Sequence, residues 1–139
     1  MFLLSFCLGS CKSHEKLTAD TMENRGMELV MSGEYSGFEK EQVLKIDSKS
    51  ELEELFGKIN RTRKPGIPVP NIDFYSRSVI VRLKGTSTNN KPDITLGKSS
   101  DQTLTLHKVK ADSSNETTAV LTPFFVYSIP KTTRDIKIE

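Results

Sequence analysis

The sharpest pattern of apolar and polar positions lies in "SKSELEELFGKI" (residues 48–59), where Leu52, Leu55, Phe56 and Ile59 recur at i, i+3, i+4 and i+7. That spacing places four apolar side chains on one stripe of an α-helix, predicted over about residues 49–60. Ser48 and Glu51 form a capping box: the serine oxygen accepts from the backbone of Glu51, and the glutamate reaches back towards the residues that precede the helix. Glu51, Glu53 and Glu54 occupy the first turns, and Lys58, Arg61, Arg63 and Lys64 fall at or beyond the far end. The helix macrodipole favours both groups where they stand, so this charge run is read as helix electrostatics rather than as an anion site. Pro65, Pro68 and Pro70 then stop the helix.

Elsewhere the apolar period is two. Strands are predicted over residues 27–31, 41–47, within 72–85, and over 94–96, 103–110, 119–129 and 135–138. In the best of them Val79, Val81 and Leu83 share one face while Ile80, Arg82 and Lys84 take the other. The turn-rich "SGEYSG" between the first two strands predicts that they pair as a hairpin. Phe125, Tyr127 and Ile129 should face the core together, and Pro123 and Pro130 point to an edge strand or a bulge. Residues 110–117 read as an exposed hairpin loop. The fold class is therefore α+β, mainly β: an antiparallel sheet or small sandwich of about six to eight strands with one amphipathic helix packed on it.

The first ten residues are apolar or small and uncharged. They are too few to span a bilayer, which takes roughly 20, and they suit the core of a secretory signal. No basic start precedes them, so the true start is expected upstream. Leu8-Gly9-Ser10-Cys11 is similar to the bacterial lipobox, with Cys11 as the lipidated residue; Cys7 fails because the bulky Phe6 stands before it. Residues 1–10 are thus read as a truncated lipoprotein signal peptide. Cys11 and residues 12–25 form a flexible, polar tether, and residues 26–139 one mainly-β domain. The expected address is the cell envelope, anchored through lipid on Cys11.

Composition narrows the chemistry. The 139 residues carry 20 basic and 18 acidic side chains, a net charge of +2, which gives no basic excess for nucleic acid. Of the two histidines, His14 lies in the tether and His107 in a strand, and both cysteines leave the domain with the signal and the lipid. No nucleophile-elbow, metal-ligand or calcium-loop motif appears. The expectation is a non-enzymatic domain with no catalytic residue, no metal and no cofactor.

"MSGEYSGFEKEQVLKIDSKSELEELFGKI", the proline-bearing loop, "IDFYSRSVIVRLKG" and "TPFFVYSIPK" resemble the protease-complex-subunit lipoprotein family of the PrcB C-terminal-domain type, over roughly residues 31–131. The resemblance implies a lipoprotein that binds or stabilises an exported partner protein, with a secreted protease as the first candidate, and no chemistry of its own. Where members of the family often carry a glycine-rich turn, this chain has Ser87-Thr88-Asn89-Asn90, and asparagine tolerates the positive φ such a turn needs. Asp73 reads as a residue that orients its loop. Partner contacts are expected at Asp73, Phe74 and Tyr75 together with Thr86, Ser87, Thr88, Asn89 and Asn90, which flank one strand. The alternative is a glycan- or small-ligand-binding envelope module, for which Tyr35, Phe38, Tyr75 and Tyr127 are the aromatic supply.

Overall fold

A computed structural model describes residues 26–110 and 116–139. The signal segment, Cys11, the tether and residues 111–115 of the predicted hairpin loop lie outside the described residues. The elements run β1 (Glu28–Gly33), β2 (Gln42–Ile46), α1 (Lys49–Ile59) with a following 3₁₀ turn (Asn60–Thr62), β3 (Arg77–Leu83), β4 (Ile94–Leu96), β5 (Thr103–Lys108), β6 (Phe124–Pro130) and β7 (Asp135–Ile138). They make a four-stranded antiparallel sheet in the order β1-β6-β3-β2 and a three-stranded sheet in the order β4-β5-β7, in which β5 and β7 are parallel. The mainly-β α+β class read from the sequence is what the chain adopts.

The four-stranded sheet is the middle of three layers. On one face Val79, Val81, Leu83, Phe124 and Val126 pack with Leu52, Leu55, Phe56 and Ile59 of α1. On the other, Ile80, Phe125, Tyr127 and Ile129 pack with Ile94, Leu104 and Leu106 of the second sheet. This explains why β3 and β6 read as nearly continuous apolar runs: both faces of each are buried. The helix packs by the stripe its spacing predicts, and Phe56 meets Phe124 edge to face with ring centres 6.2 Å apart. Ser48 Oγ accepts from Glu51 N at 3.2 Å. The Glu51 carboxylate reaches back to the backbone N–H of Asp47, 3.1 Å away.

Two expectations need correction. β1 and β2 do not pair as a hairpin; they lie at opposite edges of the sheet, β1 against β6 and β2 against β3. Residues 34–41 carry the chain across the strand ends instead, where Ser36 N donates to Thr122 O (2.8 Å) and Thr86 N donates to Glu39 O (3.1 Å). Gly85 permits this crossing: with φ at +70°, a Cβ there would stand 2.7 Å from Glu39 O and 2.8 Å from Glu41 N. Nor is β6 an edge strand. It lies between β1 and β3, with Pro123 just before it and Pro130 its last residue, where a missing N–H costs no central ladder bond. The irregularity is in β1, between Leu29 and Met31.

Candidate functional site: the Asp73 turn and the polar clusters

The approach to β3 is built around Asp73. Its carboxylate accepts from Tyr75 N (3.0 Å) and Ser76 Oγ (2.9 Å), and its carbonyl accepts from Ser76 N (3.2 Å) and Arg77 N (2.9 Å). Lys131 N donates to Ser76 O at 2.9 Å and ties the turn to the end of β6. Asp73 thus orients its loop, as the sequence predicts. Ile72 and Phe74 pack against the helix-side core, so Phe74 is a half-buried anchor and not an exposed contact residue. Tyr75, between two fixed neighbours, is 96% exposed. Beside the turn runs a groove of about 280 Å³, bounded by Glu28 and Val30 of β1, by Ile72 and by Arg77, whose Nε donates to Ser128 Oγ at 2.7 Å. β1 is an edge strand, and it leaves Leu29 and Val30 exposed.

The second expected region is of a different kind. Residues 86–90 follow β3, so its seven residues hold them about 20 Å from the Asp73 turn, at roughly 3.3 Å per residue. The two do not form one surface. Ser87 exchanges backbone bonds with Leu121 (2.9 and 2.8 Å), Thr88 O accepts from Thr117 N (2.7 Å), and Asn90 Nδ2 donates to Glu34 Oε1 (3.1 Å). Asn89 is only 6% exposed; its Oδ1 accepts from Lys91 N, 2.8 Å away. Lys84 Nζ donates to the carbonyls of Asn89 (2.9 Å) and Lys91 (3.0 Å), and burial holds that ammonium's pKa below its ordinary value. No non-glycine residue among those described takes positive φ, so the asparagines close this turn through the Asn89 side chain. Only Thr86 and Thr88 are exposed in it.

A third cluster was not picked out from the sequence. Arg82, assigned there only to the second face of β3, lies between the two sheets and binds Asp93 at two points: Nε to Oδ1 at 2.9 Å and Nη2 to Oδ2 at 2.7 Å. Nη2 also reaches Glu41 Oε1 at 2.8 Å, and Lys108 pairs with the same carboxylate. The Lys108 hydrogen bond, opposed by burial and helped by Arg82, holds Glu41 below the usual glutamate range. Burial works against the Arg82 charge, but the bonds and charges of Asp93 and Glu41 outweigh it and raise its pKa. Burial, with the Asp93 charge adding to it, pushes the nearby Tyr127 phenol up to about 12. The signal that could have found the cluster was an arginine inside an otherwise apolar, doubly buried strand, which demands a buried acid.

His107 lies half exposed on β5, with its ring over Gly97 and Nδ1 3.9 Å from Glu139 Oε2. That carboxylate is its ion-pair partner among the described residues. Among the described residues no three of His, Cys, Asp and Glu come together as metal ligands. The four candidate stacking aromatics are scattered: Tyr127 and Phe38 belong to the packing, and Tyr35 and Tyr75 stand at opposite ends of the main sheet. Compared with family models, with curated proteins and with solved structures, the chain finds no match in any of the three.

Proposed function

We propose that the protein is an exported bacterial lipoprotein, anchored in the cell envelope through Cys11, whose domain binds or stabilises a partner protein without catalysing a reaction. The observation that carries this reading is Tyr75, a fully exposed aromatic held on a turn fixed by four bonds to Asp73, next to an edge strand with exposed Leu29 and Val30. A large aromatic with only two side-chain torsions to fix, carried on a well-held backbone, is the kind of residue that dominates protein interfaces. The edge of β1 supplies backbone groups that an extended partner segment could pair with, by strand addition. The PrcB-type resemblance makes a secreted protease the partner to test first. The scattered placement of Tyr35 and Tyr75 gives no stacking platform in favour of the glycan alternative.

Two readouts test the reading. With a complete signal restored, labelled palmitate should be incorporated, and Cys11→Ala should abolish incorporation while Cys7→Ala does not. Affinity capture from envelope extracts should recover a reproducible partner that Tyr75→Ala loses without a change in melting temperature. An unlabelled wild-type protein, or capture indifferent to Tyr75, would contradict it.

A further inference from the structure

Behind the Asp73 turn, on the side facing the second sheet, a cleft of about 230 Å³ opens between the two sheets. Leu96, Leu104, Ile129 and Pro130 line it with apolar surface. Two cationic residues, Lys131 and Arg134, also line it, and they differ in one respect. The Lys131 ammonium is engaged by Asp47, through the backbone carbonyl at 3.3 Å and the carboxylate at 3.5 Å. Thr132 Oγ1 is likewise occupied, accepting from Arg134 N at 3.1 Å. Arg134 is half buried as a residue, and its guanidinium has no hydrogen-bond or ion-pair acceptor among the described residues.

With no carboxylate partner among the described residues, the donors of Arg134 stay open to a ligand at the mouth of the cleft. Its five N–H donors form a planar fork that fits a carboxylate at two points. The adjoining wall is apolar, and the volume falls below the 300–1,000 Å³ usual for drug-sized ligands. From this charge and shape we infer that the cleft binds a small amphipathic carboxylate, its acid group on Arg134 and its hydrocarbon against Leu104 and Ile129. This inference does not rest on the partner-binding reading. The groove beside Tyr75 is bounded by β1 and Ile72, and shares no lining residue with this cleft.

Hexanoate is the probe, titrated into the isotope-labelled full chain carrying Cys7→Ser and Cys11→Ser so that it stays unlipidated, and followed by amide and methyl NMR. Saturable shifts should appear at Leu96, Leu104 and Ile129. Hexan-1-ol, of the same length without the charge, should bind at least about tenfold more weakly, as expected when a charged hydrogen bond worth about 1.5 kcal/mol is lost. Arg134→Gln should weaken hexanoate by a similar factor, Arg134→Lys by less, and Lys58→Gln, on the helix at the other face of the main sheet, not at all. Should Arg134→Gln disturb the fold, the Arg134→Lys variant and the hexanol comparison still decide. Absence of saturable shifts, equal binding of hexanol, or unchanged affinity in both Arg134 variants would overturn the inference.

Discussion

Arg82 and Asp93 join the two sheets by a two-point ion pair, 2.9 and 2.7 Å, with the arginine side chain 2% exposed. Arg82 belongs to β3 and Asp93 precedes β4, so the pair fixes how the second sheet sits on the first. Removing one partner leaves the other charge buried. Asp93→Ala should therefore cost about 3–5 kcal/mol in urea melts, whereas the double change Arg82→Met with Asp93→Leu should stay near wild type or above it. A small loss in Asp93→Ala would mean that Glu41 or water suffices for the guanidinium.

Acid should weaken the fold through two carboxylates. Glu41 titrates below its ordinary 4.5 because of Lys108 and Arg82, against the opposing effect of burial. Asp47 titrates below 3.8 because the Ser78 hydroxyl (2.6 Å) and Lys45 (3.0 Å) outweigh its burial. As pH falls, the unfolded chain takes up these protons first. Their stabilisation is complete above about pH 4.5 and is lost as pH drops through the folded values. Melting temperature against pH should show an acid-side decline that is shallower in Glu41→Gln. An unchanged slope in that variant would remove Glu41 from the account.

The helix docks through a fully buried stripe. Phe56→Ala should cost about 3–5 kcal/mol, and Ser48→Ala about 1 kcal/mol through loss of the cap. Denaturant midpoints measure both, and a Phe56→Ala midpoint equal to wild type would contradict the packing against Phe124.

Tyr127 presents the opposite case. Its hydroxyl is buried and has no partner among the described residues, so Tyr127→Phe should leave stability unchanged or raise it by up to about 1–3 kcal/mol. Burial raises its pKa from 10.0 to about 12, so the unfolded tyrosine ionises first as pH rises, and stability falls from about pH 10 towards 12. An ultraviolet titration should find one of the three tyrosines ionising only near 12 or on unfolding. A stability loss in Tyr127→Phe would point to a buried water bonded to the phenol.

The helix and the two central strands were legible because their signals are local: a 3.6-residue stripe with a capping box, and β-branched and aromatic runs between turn residues. Partner choice is not local. Nothing in the period of residues 27–31 says that β1 pairs with a strand near residue 127 and not with β2, since any strand with the right face would satisfy the pattern. Alternation assigns Arg82 only to a face of β3, and the second sheet, distant in sequence, is what turns that face into a core. At the candidate site, the role of Asp73 was readable from its chemistry, while the burial of Phe74 and Asn89 depended on elements distant in sequence.

The central claim is that the domain binds a protein through the surface around Tyr75. The direct measurement replaces Tyr75 with a photoreactive phenylalanine analogue in the lipidated protein, irradiates living cells and identifies products by mass spectrometry. Thr88, exposed at the far end of β3, is the control position. A single reproducible protein crosslinked from position 75 and not from 88 is the predicted result. No crosslinked protein from position 75, or the same set of products from both positions, would contradict the account.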